Sequence, residues 1–309
     1  MEFKHISVLF EETLNGLNIH EGGIYVDGTL GGGGHSLGIL KSAKNIRLIG
    51  IDRDTEAIKA AGIRLSEYDN KTLVNSNFRR VKSVINNLGI DGIDGMVLDL
   101  GVSSYQLDNA ERGFSYMHDA RLDMRMNQND TKSAYNVVNE YSKEQLIKIF
   151  YEYGEEKWSA RIAEFIDEKR KKKPIETTLE LVDIIKAAIP KKARQDGSHP
   201  AKRVFQAIRI EVNNELEILN DTINDIADIL KPKGRICIIT FHSLEDRIVK
   251  TAFTRLATGC TCPKSFPVCV CNRQPVVRVI TKKPILPAIE EENTNPRSKS
   301  AKLRIAEKI

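Results

Sequence analysis

The stretch Val26–Ser36, VDGTLGGGGHS, places four consecutive glycines between two apolar segments, shortly after an acidic residue. Glycine loses more conformational freedom on folding than other residues, so a dense glycine run is expected where the chain needs positive φ or a close approach of backbone to a ligand. The stretch therefore predicts a strand that turns through a glycine loop into a helix, with a ligand held against the main chain.

Short apolar runs flanked by turn residues occur on both sides of this loop, and their composition predicts buried strands. These runs are Ile24–Asp27, Ile46–Asp52, Thr72–Phe78, Met96–Val102 and Arg235–Phe241. Segments of helical spacing separate the first three runs, and Asp54 or Thr55 is the expected N-cap of the second helix. The alternation of strand and helix predicts an α/β fold with a doubly wound, mostly parallel sheet, in which ligands lie beyond the carboxyl ends of the strands.

The alternation stops between the fourth and fifth strands. From Tyr105 to Ser198 no segment resembles a strand, whereas several have strong helical periodicity, and Lys202–Leu230 adds two further helices. We therefore predict a sheet domain in two parts, 1–104 and 200–309, interrupted by an inserted helical subdomain, 105–199.

Composition limits the class of protein. With 309 residues, 41% hydrophobic and 29% charged, the chain can bury a sizeable core. No stretch offers 18 uncharged apolar residues, and four of the five cysteines are clustered rather than spread like a disulfide framework. These features predict a cytoplasmic protein without a membrane segment.

Positive charge is concentrated in one part of the chain. The net charge is +5, but residues 161–210 carry 13 Lys and Arg against 7 Asp and Glu, an excess of +6. This window predicts a basic face for nucleic acid, while a solvated helix end explains the run Lys169–Lys173 equally well. Further basic residues that fit such a face are Lys191, Lys192, Arg194, Lys202 and Arg203, and near the C-terminus Arg297, Lys299, Lys302 and Arg304.

The glycine loop fits two ligand classes better than a nucleoside triphosphate. A Walker loop needs Gly-Lys-Ser/Thr, and Gly34-His35-Ser36 lacks the lysine. A dinucleotide fingerprint is nearer, because the glycines follow a strand and an acid, Asp52, closes the next strand. However, Asp27 and Asp99 also stand at strand ends, and extra carboxylates repel a pyrophosphate but attract an ammonium and a sulfonium. This set of acids favours S-adenosylmethionine, although any one of them alone could be a solvated strand end or a helix cap.

Ordered motifs along nearly the whole chain resemble the bacterial ribosomal RNA small subunit methyltransferase H family, also called the MraW family. They are HISVLFEETL (5–14), DGTLGGGGHS (27–36), GIDRD (50–54), LDLGVSSYQLD (98–108), GFSY with LDMRM (113–126), RVFQAIRIEVNNEL (203–216), FHSLEDR (241–247) and NPRSKSAKLRIAEK (295–308). The resemblance implies a Rossmann-like fold and methylation of a cytidine N4 in the decoding region of 16S rRNA, with S-adenosylmethionine as methyl donor. The implied partner is 16S rRNA, expected within the small ribosomal subunit.

The resemblance also implies cofactor contacts for Gly33, Gly34, His35, Asp52, Phe78, Asp99 and Gln106. In these contacts Gly33, Gly34 and His35 lie along the methionine end, Asp52 takes the ribose hydroxyls, and Phe78 covers the adenine. Asp99 and Gln106 complete the pocket. An ordinary core position is the alternative for Phe78.

Two segments are candidates for the catalytic side. Ser103, Ser104 and Tyr105 follow the fourth strand and resemble in position the loop of amino methyltransferases that binds the amine and stacks on a flipped base. His242, in FHSLEDR, follows the fifth strand, where it could read a substrate edge or relay a proton. The same segment also suits a helix N-terminus with Ser243 as its cap.

The cysteine-rich stretch CTCPKSFPVCVC leaves two readings open. Cys260, Cys262, Cys269 and Cys271 form two Cys-x-Cys pairs, which could bind structural zinc or remain free reduced thiols, since zinc sites more often use Cys-x-x-Cys. Two departures from the family pattern affect the insertion: Asp119-Ala120-Arg121 replaces the usual Asp-Gly-Pro, and Asn127 stands where an acid is usual. Two rival functions, a nicotinamide oxidoreductase and a non-catalytic RNA-binding module, are weaker, because no hydride-transfer set is assignable and a binding module needs no intact glycine loop.

Overall fold

The structure is a computed structural model that describes residues 7–194, 199–263, 268 and 270–309, except for the side chain of Ser104. The chain divides into two compact units. The first, here called the sheet unit, comprises Met1–Gly101 and Leu216–Ile309, and the second, here called the helical unit, comprises Val102–Glu215.

The sheet unit begins with α1 (Phe10–Leu17), β1 (Ile24–Asp27), α2 (Gly34–Ser42), β2 (Arg47–Asp52), α3 (Thr55–Arg64), β3 (Lys71–Asn75), α4 (Val81–Asn87) and β4 (Ile93–Asp99). The helical unit contains α5 (Ser104–Asp108), α6 (Ala134–Glu140), α7 (Lys143–Glu152), α8 (Ser159–Arg170), α9 (Thr178–Ala188) and α10 (Lys202–Asn213). The chain then returns to the sheet unit with α11 (Leu219–Ile229), β5 (Leu230–Thr240), α12 (Ser243–Ala257), β6 (Val277–Val279), α13 (Ile289–Thr294) and β7 (Lys302–Lys308).

The seven strands form one sheet in the order β3-β2-β1-β4-β5-β7-β6. Strands β1 to β5 are parallel, and β7 is antiparallel to both of its neighbours. This mostly parallel sheet confirms the predicted doubly wound, Rossmann-like α/β class. The strand order reverses between β1 and β4, so a ligand crevice is expected beyond the carboxyl ends of these two strands.

Both faces of the sheet are buried, as its apolar strands require. Neighbouring residues of a strand point to opposite faces. Val26 and Met96 therefore join one apolar cluster with α4, α11 and α12, while Tyr25 and Val97 join a second cluster with α1, α2 and α3. All four side chains are fully buried. Because helices pack on both faces, the positions of the strand ends, which carry the acidic residues, are fixed.

The observed strands differ from the predicted ones at their ends. The predicted strand Thr72–Phe78 ends at Asn75, and Phe78 begins a short 3-10 helix, because the Asn77 side chain caps that turn by accepting from Arg79 N at 3.0 Å. The predicted Met96–Val102 strand is observed as Ile93–Asp99, and the chain leaves it through Gly101 at φ +94°. The predicted strand Arg235–Phe241 is observed as Leu230–Thr240.

Strands β6 and β7 were not among the predicted elements. β7 pairs with β5 along six residues, with Cys237 opposite Ile305, and β6 pairs with β7 over three. Charged residues alternate through β7, and its partner β5 precedes it by more than sixty residues, so local periodicity does not indicate this pairing. The pairing extends the sheet and covers the edge of β5.

The helical unit has its own core, to which α6 to α10 contribute. Its observed limits, Val102–Glu215, are wider than the predicted insertion 105–199. The difference arises because α10 packs Val204, Phe205 and Ile208 into this core. In addition, the side chain of Asn213 donates to Met124 O at 2.8 Å and accepts from Met126 N at 2.8 Å, which ties the end of α10 to the helical unit.

No helix in the described part of the chain is both long enough and apolar enough to cross a membrane.

Candidate active site

The glycine loop between β1 and α2 is held against the neighbouring strands by its own backbone. Gly28 N donates to Val97 O at 3.0 Å, and Leu30 N donates to Ile51 O at 3.1 Å. Gly31 and Gly33 have φ of +48° and +73°, and Gly33 is the N-cap of α2. A β-carbon is costly in this left-handed region, which explains the glycines at these two positions. The loop thus ends in a helix N-terminus at the sheet's carboxyl edge.

Asp27, the last residue of β1, orders the loop through hydrogen bonds. Its carboxylate is buried and accepts from Ser36 Oγ at 2.7 Å and from Thr29 N at 3.2 Å. Burial raises the pKa of Asp27 to about 6, and the charge of Asp52 acts in the same direction, while the hydrogen bonds from Ser36 and Thr29 oppose it. Asp27 therefore shapes the loop with both oxygens already engaged.

Asp52, at the end of β2, holds the other side of the loop. Its Oδ2 accepts from Gly31 N at 2.8 Å, and its Oδ1 accepts from Asp54 N at 2.9 Å. Burial raises the pKa of Asp52, whereas the two backbone donors lower it. Each carboxylate oxygen has two lone pairs, so both can still accept a ligand hydroxyl. Asp54, one of the two predicted candidates, is the N-cap of α3.

Asp99, at the end of β4, differs from the other two acids because its carboxyl is poorly satisfied. Its backbone N donates to Thr29 Oγ1 at 2.6 Å, but its buried Oδ1 has no hydrogen-bond partner within the described residues. Burial, together with the charges of Asp27 and Glu245, raises the pKa of Asp99 to about 8. An uncompensated buried carboxyl of this kind gains from a cationic ligand.

His35 and Phe78 flank these acids. The ring of His35 is buried at the start of α2, with Nδ1 3.8 Å from Asp99 Oδ2 and Nε2 3.2 Å from Val8 O. Phe78 is half-buried against the apolar cluster of β1 and β4, and a β-carbon placed on Gly28 would lie 3.4 Å from Phe78 Cβ. Phe78 therefore lies beside the start of the loop and packs against the core, and its contact with adenine stays a prediction.

His242 is the N-cap of α12, the position that the sequence assigned to Ser243. Its Nδ1 accepts from Glu245 N at 3.4 Å, and Glu245 Oε2 accepts from His242 N at 3.4 Å, which completes a capping box. Glu245 Oε2 also accepts from Phe241 N at 2.8 Å. The imidazole replaces the hydroxyl because its Nδ1 reaches the same backbone donor. Glu245, which is almost fully buried, adds a fourth acid beside Asp99. The motif FHSLEDR contains this residue, but only the fold shows that its charge acts on Asp99.

Ser103, Tyr105 and Gln106 lie at the start of the helical unit. Ser103 caps α5 by accepting from Gln106 N at 3.2 Å, and Gln106 Oε1 accepts from Ser103 N at 3.1 Å. The Tyr105 side chain is 52% exposed. The side chain of Ser104 lies outside the described residues. Within their own unit, Ser103 and Gln106 thus serve a capping box, and the cofactor and substrate roles of this group stay predictions.

The basic residues separate into paired and exposed groups. In the run Lys169–Lys173, Lys171 Nζ lies 2.6 Å from Asp167 Oδ2, and Lys173 Nζ lies 3.4 Å from a carboxylate oxygen of Glu176 and of Glu180. Much of the positive charge of this run is therefore compensated. Arg304, expected on a basic face, is instead buried in β7. The lysines of the turn Lys191–Arg194 are exposed.

Asp246 explains the burial of Arg304. Arg304 Nε and Nη2 donate to the Asp246 carboxylate at 2.6 and 3.1 Å, and Lys302 Nζ lies 3.6 Å from it. Burial raises the pKa of Asp246, but the hydrogen bonds and positive charges of Arg304 and Lys302 together outweigh burial, and the net pKa is lowered. The expectation that Arg304 faces RNA is therefore replaced by an ion pair between β7 and α12, whereas Lys302 keeps a partly exposed side chain and its contact with RNA stays a prediction.

At the C-terminal ends of β1, β2 and β4, acidic side chains surround a glycine loop and one aromatic ring. The acids suit a ligand with positive charge and with hydroxyl donors, and a pyrophosphate would meet repulsion from Asp27, Asp52 and Asp99. The arrangement contains the elements for binding a cationic nucleoside ligand, and its buried carboxyl Asp99 is the strongest of them.

Comparisons with known proteins identify the family. A sequence model of the MraW methylase family matches residues 2–309. Two relatives named ribosomal RNA small subunit methyltransferase H, from Clostridium botulinum strains Loch Maree / Type A3 and Kyoto / Type A2, are each 61% identical over 310 residues and cover 100% of both chains. A solved rRNA methylase from Streptococcus thermophilus is similar with a TM-score of 0.45 and 11% identity, over 99% of each chain. The chain belongs to the MraW methylase family.

Proposed function

We propose that the chain transfers a methyl group from S-adenosylmethionine to N4 of a cytidine in the decoding region of 16S rRNA. Membership of a methylase family gives the reaction class. Its full-length relatives are named as methyltransferases of the small-subunit ribosomal RNA, which supports RNA as substrate. A nicotinamide oxidoreductase is inconsistent with this family, and a non-catalytic RNA-binding module would not need the glycine loop.

The observation that carries the choice of methyl donor is the buried carboxyl of Asp99, whose Oδ1 is unsatisfied within the described residues. When bound, S-adenosylmethionine supplies an electrophilic methyl carbon on a positively charged sulfur, together with an ammonium group. A cation beside Asp99 lowers the pKa of its carboxyl and so opposes the rise in pKa that burial causes. The residues present therefore fit this donor.

The other loop residues take complementary roles in the proposal. Asp52 accepts the ribose hydroxyls with the lone pairs that Gly31 and Asp54 leave open. Gly33 and Gly34, with His35, bring backbone close to the methionine end. Phe78 offers a ring face to adenine, and Gln106 completes the pocket from the residues that follow β4.

On the substrate side, the protein has to orient the amine rather than activate it strongly. The N4 lone pair attacks the methyl carbon, the carbon–sulfur bond breaks, and one N4 proton is released after transfer. We assign hydrogen bonding of the amine to Ser103 and Ser104 and stacking on the flipped base to Tyr105. His242 is assigned the passage of the released proton toward solvent. Correct positioning alone contributes on the order of 7 to 11 kcal/mol in the best cases.

The helical unit, Val102–Glu215, is proposed as the substrate-recognition part. Exposed lysines such as Lys191 and Lys192 fit contact with RNA phosphates. The proposed partner is 16S rRNA within the small subunit, and the cytoplasmic location stays a prediction.

The decisive experiment is methyl transfer from labelled S-adenosylmethionine to small ribosomal subunits that lack the modification. The RNA is then digested, and its nucleosides are identified by mass spectrometry. Label in N4-methylcytidine that is lost with Asp99→Ala, but kept with the exposed acid variant Glu56→Gln, supports the proposal. Label in another nucleoside would refute the N4-cytidine assignment and leave the methylase class intact.

A further inference from the structure

The turn that connects α12 to β6 brings three cysteines together. The sulfur atoms of Cys260, Cys262 and Cys271 all lie within 4.8 Å of one another, although Cys271 is nine residues after Cys262. The fourth cysteine of the stretch, Cys269, lies outside the described residues. Convergence of three sulfurs from two separate Cys-x-Cys pairs is more than sequence proximity requires.

The distance between two of these sulfurs decides what they suit. Cys260 Sγ and Cys271 Sγ are 3.7 Å apart. A disulfide requires about 2.05 Å between its sulfurs. A tetrahedral zinc ion with zinc–sulfur bonds of about 2.3 Å places two thiolate ligands about 3.8 Å apart. The observed separation therefore matches two ligands of one ion.

The backbone around the thiols supports the same geometry. Cys262 N donates to Cys260 Sγ at 3.4 Å, and such an outer contact orients a thiolate and offsets part of its negative charge. Asn272 has φ of +49°, so the chain turns sharply directly after Cys271. Asparagine tolerates this conformation better than most residues.

The described apolar residues between the second and the last cysteine of this stretch are exposed. Of the valines between the cysteines, Val268 and Val270 are 71% and 69% exposed. Segments that cannot build a core are commonly held by disulfides or by a structural metal. Thiolates are soft ligands, and among common divalent ions zinc is the one that they bind in tetrahedral structural sites.

We propose that Cys260, Cys262 and Cys271 bind a structural zinc ion that fixes the connection between α12 and β6. The three thiolates occupy three tetrahedral positions, and a further ligand takes the fourth. Binding releases the thiol protons that remain on the cysteines and leaves the oxidation state of sulfur unchanged. The site is independent of the proposed methyl transfer, because none of its residues is assigned to that reaction.

The test uses the full-length chain without a metal-binding tag, purified under reducing conditions. Zinc per chain is measured by mass spectrometry after gel filtration in chelator-free buffer, for the chain as it stands and for Cys260→Ser, Cys262→Ser and Cys271→Ser. Cys237→Ala is the matched control, because this thiol is fully buried in β5, away from the turn in sequence. Circular dichroism verifies that each variant is folded.

The expected result is about one zinc per chain, retained by Cys237→Ala. Each serine variant should bind zinc at least about 100-fold more weakly in competition with a chromophoric chelator, since even the loss of an outer contact costs up to about 100-fold. Cobalt(II) added to the metal-free chain should give the intense visible bands of a tetrahedral site and a sulfur-to-cobalt charge-transfer band. A chain that binds no zinc, or serine variants that bind it as tightly as the control, would overturn the proposal.

Discussion

Nδ1 of His35 lies 3.8 Å from Oδ2 of Asp99, where the helix after the glycine loop begins and β4 ends. This separation exceeds a hydrogen bond, so the imidazole does not satisfy the carboxyl directly. Burial, with the charges of two further acids, Asp27 and Glu245, raises the pKa of this carboxyl to about 8, and its Oδ1 has no hydrogen-bond partner in the described structure. The carboxyl of Asp99 is therefore mostly protonated, and uncharged, at neutral pH in the unliganded chain. This protonation state affects both the stability of the fold and the binding of ligands.

Replacement of Asp99 by Asn should stabilise the cofactor-free chain at about pH 7.5 by roughly 1–3 kcal/mol. The pKa of this carboxyl is 3.8 when unperturbed and about 8 in the fold, so at this pH the unfolded chain is ionised while the folded chain holds the proton. This difference lowers stability increasingly as pH rises from about 4 to about 8. An amide has no such difference.

Chemical unfolding at about pH 4.5 and about pH 7.5 tests this effect, with Glu56→Gln as the exposed acid control. The gain from Asp99→Asn should be several-fold larger at the higher pH than at the lower one. The variant should also lose binding of S-adenosylmethionine. A variant that is equally stable or less stable than the parent chain at the higher pH would contradict the role of burial.

Binding of S-adenosylmethionine near pH 7 should release protons. In the unliganded chain Asp99, with a pKa of about 8, is mostly protonated at this pH, and a cationic ligand favours its ionised form. Affinity should accordingly rise with pH up to about 8. Calorimetry in buffers of different ionisation enthalpy measures the release. S-adenosylhomocysteine, which lacks the sulfonium charge, is the matched ligand and should release fewer protons, and equal heats in all buffers would count against Asp99 as the group involved.

Gly33→Ala should destabilise the chain by about 1–2 kcal/mol, because an L-residue is strained in the left-handed region. Gly33 has φ of +73°, and an added Cβ would lie 3.3 Å from Ala61 Cβ. Gly32→Ala is the matched control, since its Cβ would meet nothing within 4 Å. Thermal unfolding measures the loss of stability, and titration with S-adenosylmethionine measures any accompanying loss of binding. Similar losses in the two variants would show that the loop does not depend on the conformation of Gly33.

Arg304→Ala should cost about 2–4 kcal/mol of stability, because it leaves the largely buried carboxylate of Asp246 with only the more distant Lys302. Lys299→Ala, at an exposed position of the same C-terminal segment, should cost little. Urea unfolding separates the two. The folded Arg304→Ala variant should bind RNA with the same dependence of affinity on salt as the parent chain. A smaller slope of log affinity against log salt would show that Arg304 contacts RNA phosphates after all.

The double variant Lys191→Ala, Lys192→Ala should weaken binding of small-subunit RNA and lower the slope of log affinity against log salt by about 1.5 to 2. Both side chains are exposed in the turn after α9. Lys171→Ala is the control, since Lys171 Nζ lies 2.6 Å from Asp167 Oδ2 within the helical unit. Filter binding at several salt concentrations measures the slopes. An unchanged slope in the double variant would exclude these lysines from phosphate contact.

Residues that act through local geometry were predictable from the sequence. The apolar runs predicted the five parallel strands, and the polar pair before a helical segment predicted Asp54 or Thr55 as its cap, of which Asp54 is observed. His242 shows the limit of this approach, because both it and Ser243 could cap α12, and the choice depends on the exact end of β5. Phe78 likewise lies just past β3 rather than in it, because the Asn77 side chain starts a new turn there.

The sequence by itself determined the order of the five parallel strands, the glycine loop after β1 and the acids at the ends of β1, β2 and β4, because these depend on period, turn chemistry and chain position. Only the tertiary structure decided the addition of β7 beside β5, the burial of Arg304 on Asp246 and the action of Glu245 on the pKa of Asp99. These depend on groups that are distant in sequence and on burial, which changes the energy of a charge far more than its local sequence does.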